Sequence, residues 1–139
     1  MRMLGVNIRI CIVVEDSLAS NVTHLTKLNR LNMRYIVGVK PGDHKFLFGF
    51  IKTAACTEYT HQTKDGTTPT YRYINQVQLN NSHDFKTNFL ECWETNKKGE
   101  QQHFCWVTDL TITIDNVYQI MRGGRVNSRV ENNAFIGSR

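Results

Sequence analysis

The chain has 139 residues and a mass of 16.1 kDa, enough for one domain of the usual size, about 100–200 residues. Hydrophobic residues make up 40% of it, charged residues 21%, and only 2 prolines occur, which excludes disordered, collagen-like and low-complexity classes. The formal net charge of +5 is carried by the two ends, with +4 over residues 1–51, −1 over 52–113 and +2 over 114–139.

This basic balance has two readings. Basic surfaces are typical of nucleic-acid binding, because each phosphate neutralised by Lys or Arg releases condensed counterions. A solvated Lys-rich surface explains the same charge without any ligand.

The apolar runs and the cysteines predict the compartment. The longest apolar run, Ile10–Val14, ends at Glu15 and is much shorter than the roughly 20 residues of a membrane-spanning helix. It also lacks the cleavage site of a signal peptide. The cysteines form no CxxC pair and no zinc-type spacing, which predicts buried free thiols: Cys11, Cys56, Cys92 and Cys105. We therefore expect a cytoplasmic protein with no membrane partner.

The first part of the chain predicts a strand, a helix and a second strand. Residues 8–14 are apolar and largely β-branched, which indicates a central strand buried on both faces. Residues 20–32 begin with two capping residues and keep apolar side chains at helical spacing. Residues 34–39 predict a second buried strand, ended by the turn at 40–43. This order is a βαβ unit, so we expect the two strands to be parallel.

The middle of the chain predicts antiparallel strands. Residues 71–79 alternate apolar and polar side chains, and residues 89–94 and 103–108 are two aromatic-rich runs separated by a turn at 96–99. This alternation is typical of hairpin strands.

The last part of the chain predicts helices. Thr113 or Asp115 caps a helix that continues to Met121, Gly123-Gly124 interrupts it, and a further helix begins near Arg125.

Two carboxylates are candidates for chemistry. Asp16 follows the first predicted strand, where open α/β folds place functional groups, although an Asp there also caps the helix that follows. Glu131 lies on the last predicted helix, and considered alone it is interpreted more readily as a solvated residue beside Arg129. They are far apart in the sequence, so only the fold brings them together.

Three segments together carry a resemblance to a known family. They are the run from Val13 to Asn21, the segment from Lys40 to Phe48, and the region from Trp106 through Met121–Arg125 to Glu131-Asn132. In this order they resemble the catalytic region of bacterial insertion-sequence transposases of the DDE type, and they span most of the chain.

The resemblance implies an α/β fold in three parts. A partial RNase H-like core with the βαβ unit spans residues 1–51, an antiparallel β insertion spans 52–113, and a returning helical segment over 114–139 carries Glu131. Asp16 matches the second of the family's three catalytic, metal-binding carboxylates, and Glu131 matches the third. The implied cofactor is Mg²⁺ or Mn²⁺, and the implied reaction is the cutting and joining of double-stranded DNA at insertion-sequence ends, in the nucleoid.

The sequence departs from the family at several positions. No Asp precedes Asp16, so the first carboxylate of the family is missing from this sequence. Asn127 and Ser128 stand where members often have Arg and Trp, and Ala19 replaces an aromatic residue. We therefore expect a truncated or decayed copy, inactive alone, whose first strand has an unpaired apolar edge. The alternatives are a non-catalytic DNA-binding module and a relic without function.

Basic and aromatic residues are the candidates for DNA contacts. Guanidinium forks suit phosphate, and three arginines lie near Glu131, although a solvated helical face explains them equally well. The candidates for DNA binding are Lys40, Lys45, Arg122, Arg125, Arg129 and Arg139. For Trp93 and Trp106, packing in a small core is favoured over stacking on a flipped base. Full-length transposase and a second copy of the chain are the expected protein partners.

Overall fold

The computed structural model describes the backbone of residues 2–3, 5–6, 12–63 and 67–130, and the side chains of residues 12–63 and 67–125. The helices are α1 (Val22–Arg30), α2 (Lys45–Thr53) and α3 (Val117–Val130). The strands are β1 (Arg2–Met3), β2 (Gly5–Val6), β3 (Ile12–Glu15), β4 (Arg34–Gly38), β5 (Thr57–Thr60), β6 (Thr70–Gln78), β7 (Lys86–Thr95) and β8 (Gln101–Thr108). Short 3-10 turns cover Ser17–Ala19 and Pro41–Asp43.

Six strands form one mixed sheet in the order β3-β4-β8-β7-β6-β5, while β1 and β2 pair with each other. The pair β3–β4 is parallel, and every other neighbouring pair in the six-stranded sheet is antiparallel. The predicted α/β class, the parallel pair and the antiparallel middle strands are confirmed. Because β4 pairs directly with β8, strands from residues 1–51 and from 52–113 belong to one sheet.

Strand β3, which corresponds to the first predicted strand, is an end strand of the six described strands in this sheet. The prediction of a central strand is therefore wrong. Among the strands that the structure describes, β3 pairs with β4 alone, and Ile12 is 44% exposed. Val13 packs against the core on one face of the sheet and Val14 against the core on the other, so the apolar residues of β3 reflect partial burial on both faces. Residues 8–11 of the predicted strand lie outside the described residues.

The connection from β3 to β4 is the predicted helix. Helix α1 starts after Asn21, whose Oδ1 accepts a hydrogen bond of 2.8 Å from the His24 backbone N–H. This cap satisfies one of the four backbone donors that a helix leaves unpaired at its start. Leu25 and Leu28 are its buried face. Helix α2, which follows β4, was not predicted from the sequence.

Each face of the sheet is covered by helices. Alternate strand residues point to opposite faces, so Tyr35 and Val37 pack on the α1 and α2 side while Ile36 packs on the α3 side. The core on the first side also contains Leu25, Leu47, Ile51, Phe89 and Val107. The core on the second side contains Tyr71, Leu90, Trp106, Val117 and Met121.

Strand β6 changes its facing side at a β-bulge. The register with β7 shifts between Ile74 and Val77, and Gln76 adopts a φ of 60°. The Gln76 backbone N–H donates to Asn88 Oδ1 at 2.7 Å, which replaces the lost ladder hydrogen bond. As a result Tyr71 lies in the α3 core, whereas Val77, six residues later, lies in the core below α1 and α2.

Helix α3 runs without a break through Gly123-Gly124, so the predicted interruption is wrong. A Cβ atom at Gly124 would lie within 3.0 Å of the Trp106 indole. The glycines therefore allow the helix to approach the sheet closely and do not end it.

Upstream of α3, Thr113 Oγ1 accepts a 3.3 Å hydrogen bond from the Asn116 backbone N–H, in agreement with the predicted capping role of Thr113. No helix in the described part of the chain is long and apolar enough to span a membrane.

Candidate functional site

A cleft of about 600 Å³ opens at the ends of the parallel strands. Gly38 at the end of β4 pairs with Trp106, so the part of β8 before Trp106 extends past β4 and forms one wall. The opposite wall comes from the residues that follow β3 and β4. The cleft is lined by Asp16, Ser17, Lys40, His103, Cys105 and their neighbours.

Asp16 lies at the carboxyl end of β3, as the sequence predicts. Glu15 pairs with Val37 on β4, which places Asp16 beside Gly38 at the same end of both strands. Asp16 Oδ1 accepts a hydrogen bond of 3.0 Å from the Leu18 backbone N–H, so the capping role also exists, at the first 3-10 turn. The other carboxylate of this wall, Glu15, is held by His24 Nε2 at 2.6 Å. Asp16 is thus a half-buried carboxylate at the wall of the cleft.

The two candidate lysines lie in different grooves. Lys40 is exposed, follows the end of β4 and lines the cleft with Asp16. Lys45 is the first residue of α2 and lines a separate groove of about 380 Å³ with Arg72 and Glu91. Of the two, only Lys40 shares a cavity with Asp16.

The candidate arginines of α3 line another groove, of about 470 Å³. Arg125 forms an ion pair with Glu94, and its guanidinium carbon lies 4.4 Å from the centre of the Phe104 ring. Arg122 is exposed and donates to the Tyr118 hydroxyl at 3.0 Å. The charge of Arg125 is therefore neutralised by Glu94, whereas the guanidinium of Arg122 is exposed. The side chain of Arg129, and all of Glu131 and Arg139, lie outside the described residues.

Asp109, in the third segment of the resemblance, stabilises the fold through hydrogen bonds. Asp109 Oδ2 accepts a 2.9 Å hydrogen bond from Arg34 Nε, and Asp109 Oδ1 accepts one of 3.0 Å from the Tyr35 backbone N–H. These bonds fix the start of β4 against the residue that follows β8. Burial raises the pKa of the Tyr35 phenol to about 12, and its hydroxyl is bonded to Thr87 at 2.7 Å.

A cluster on β7 and β8, absent from the sequence prediction, could hold a metal ion. Glu91, His103 and Cys105 each offer one ligand atom, and these atoms all lie within 4.8 Å of one another. His103 Nε2 is 2.9 Å from Glu91 Oε1 and 3.4 Å from Cys105 Sγ. The three side chains share the α2 side of the sheet, because Glu91 pairs with Cys105 and His103 lies two residues before Cys105.

The cluster combines burial with charge. Glu91 is 6% exposed, and its Oε2 accepts no hydrogen bond from the described residues. Arg72 Nη1 lies 3.6 Å from that oxygen, while Arg72 Nη2 donates to the Ile51 carbonyl at the end of α2. Burial raises the pKa of the Cys105 thiol, and the negative charge of Glu91 raises it further.

The sequence shows part of this cluster. His103 and Cys105 are two residues apart on a predicted strand, and this spacing places them on one face. Glu91 belongs to another strand, so only the register of β7 against β8 brings it to them.

The two tryptophans differ in their surroundings. Trp106 is 3% exposed and lies in the α3 core, which confirms the predicted packing role. Trp93 is half-buried and stacks on the His103 ring, with ring centres 5.0 Å apart and planes 9° apart. Trp93 thereby helps to fix the orientation of His103.

The predicted buried free thiols are confirmed for Cys92 and Cys105, whereas Cys56 is free but only half-buried. Cys11 lies outside the described residues. In comparisons with known proteins, no family model and no curated protein matches the chain.

Proposed function

We propose that the chain contains the part of a DDE transposase catalytic domain that carries the second and third carboxylates. On this proposal the βαβ unit belongs to an RNase H-like core, and the protein takes part in metal-dependent cutting and joining of DNA. The observation that carries the proposal is the position of Asp16, at the carboxyl end of β3 in a cleft that Lys40 also lines. Ligands of open α/β sheets bind at this end of the strands.

The donor chemistry at this wall fits a hard divalent cation. Asp16 offers carboxylate oxygen, and Mg²⁺ is usually held by only one or two protein carboxylates, together with water and substrate phosphates. Bound there with Glu131, such metals would activate the attacking oxygen and stabilise the leaving oxygen of a phosphoryl transfer.

One cation of the cleft, Lys40, suits DNA in charge. Lys40 is exposed at the wall that Asp16 also lines, where its ammonium would neutralise a backbone phosphate near the carboxylate. Arg122 lies outside the cleft on α3, where its exposed guanidinium would hold a neighbouring phosphate of the same duplex.

The test is nicking of supercoiled plasmid by the purified chain in Mg²⁺ and in Mn²⁺. Cutting and joining at insertion-sequence ends is not expected of the chain alone, because no Asp precedes Asp16 to match the family's first carboxylate. We expect the other two carboxylates to support slow, metal-dependent nicking, which Asp16→Asn and Glu131→Gln should each abolish because each removes a metal-binding carboxylate. Asp43→Asn is the matched control, since Asp43 is an exposed carboxylate in the turn after β4 and does not line the cleft. Nicking that persists in Asp16→Asn would contradict the proposal. DNA bound but left uncut in both metals would also contradict it and would favour the binding module.

A further inference from the structure

We propose that Glu91, His103 and Cys105 form a binding site for Zn²⁺, distinct from the carboxylate site proposed at Asp16. The site consists of neighbouring positions on β7 and β8, so regular strand backbone fixes its geometry. Its three donor atoms already converge to within 4.8 Å of one another.

The convergence is centred on one ring nitrogen. His103 Nε2 contacts both Glu91 Oε1, at 2.9 Å, and Cys105 Sγ, at 3.4 Å. A neutral imidazole nitrogen carries at most one proton, so it donates at most one strong hydrogen bond to these two neighbours, and a shared bond is weaker to both. A cation between the three atoms satisfies all of them together.

A second observation at the same place is the unsatisfied oxygen of Glu91. The Glu91 side chain is more than nine-tenths buried, and its Oε2 accepts no hydrogen bond from the described residues. A buried carboxylate of this kind is costly unless it is fully compensated. Arg72, at 3.6 Å, supplies a countercharge without a hydrogen bond. A metal ion held by the Glu91 carboxylate would complete the compensation.

The residues around the cluster hold the ligands in place. Arg72 is anchored at the Ile51 carbonyl and lies against Oε2, which leaves Oε1 facing His103. Trp93 stacks on the His103 ring and limits its rotation. Such outer partners orient metal ligands and tune metal affinity.

The donor set selects the class of metal. A thiolate is a soft ligand and an imidazole a borderline one, and Zn²⁺ binds both together with a carboxylate oxygen, so the set favours Zn²⁺ over Mg²⁺ or Ca²⁺. Three protein ligands leave the fourth tetrahedral position open, as in zinc sites that bind water or substrate. His103 and Cys105 line the cleft that Lys40 also lines, while Glu91 lines the groove beside α2, so the three ligands lie between these two cavities.

The test is a zinc titration of the purified, chelator-treated chain against a chromogenic chelator, repeated with Co²⁺. We expect one Zn²⁺ per chain. With Co²⁺ we expect a thiolate charge-transfer band and the strong visible bands of tetrahedral coordination. His103→Gln and Cys105→Ser should each weaken zinc binding by more than the roughly 10- to 100-fold that loss of an outer partner costs.

Matched controls separate this site from chance binding and from the proposed function. Cys56→Ser removes a half-buried thiol outside the cluster, and Asp16→Asn removes the carboxylate proposed for Mg²⁺; both should bind zinc like the parent chain. His103 is 41% exposed at its side chain, so His103→Gln should fold normally, which circular dichroism checks. Zinc affinity unchanged in His103→Gln, or no stoichiometric zinc in the parent chain, would overturn the proposal.

Discussion

At the scale of single residues, a buried histidine links the starts of two helices. His44, directly before α2, is 8% exposed, and its Nε2 lies 2.8 Å from Ser20 Oγ, just before α1. The Ser20 hydroxyl donates its hydrogen to the Ser17 carbonyl at 2.7 Å, so it accepts from His44, which is the donor. Burial lowers the pKa of His44 below its usual 6.5, with an opposing influence from Asp43.

This lowered pKa makes the fold sensitive to acid. As the pH falls below about 6.5, the unfolded chain binds a proton at position 44 while the folded chain does not, so the free energy of unfolding decreases. The loss continues until the pH falls through the lowered pKa of the folded state. We expect urea unfolding to show less stability at pH 5 than at pH 7, with a smaller difference in His44→Gln. His83→Gln, at an exposed histidine, should keep the full difference, and an equal difference in His44→Gln would contradict this assignment.

At the scale of elements, α3 depends on a glycine for its closeness to the sheet. A Cβ atom at Gly124 would collide with the Trp106 indole, which is itself packed in the core. Alanine normally favours a helix over glycine, by roughly 1 kcal/mol. We expect Gly124→Ala to do the opposite and destabilise the protein by about 1–3 kcal/mol, because the close-packed interior leaves no room. Urea unfolding measures the change.

Helix α2 offers the matched control for Gly124. Gly49 lies inside that helix, and nothing stands within 4 Å of its would-be Cβ atom. Gly49→Ala should therefore stabilise the protein, by about 0.5–1 kcal/mol. Equal effects of the two substitutions would mean that Trp106 does not limit the approach of α3.

Helices and strands are predicted best from the sequence where residues within the element itself determine it. Residues 20–32 combine a capping residue with apolar spacing, and α1 forms there as Val22–Arg30. The Gly123-Gly124 pair looks like a helix break in sequence, and only the position of Trp106 reveals its packing role. The bulge at Gln76 is also invisible locally, because Asn88 on the next strand supports it.

At the scale of the whole molecule, the sequence predicts only the part of the candidate site that follows from the order of the strands. Asp16 could be placed from the βαβ pattern, because parallel strands bring their carboxyl ends to one edge. Arg122 and Arg125 are close in sequence to Glu131, yet they line a different groove from Asp16. The Glu91 cluster depends on pairing between strands 12 or more residues apart, which no local pattern encodes.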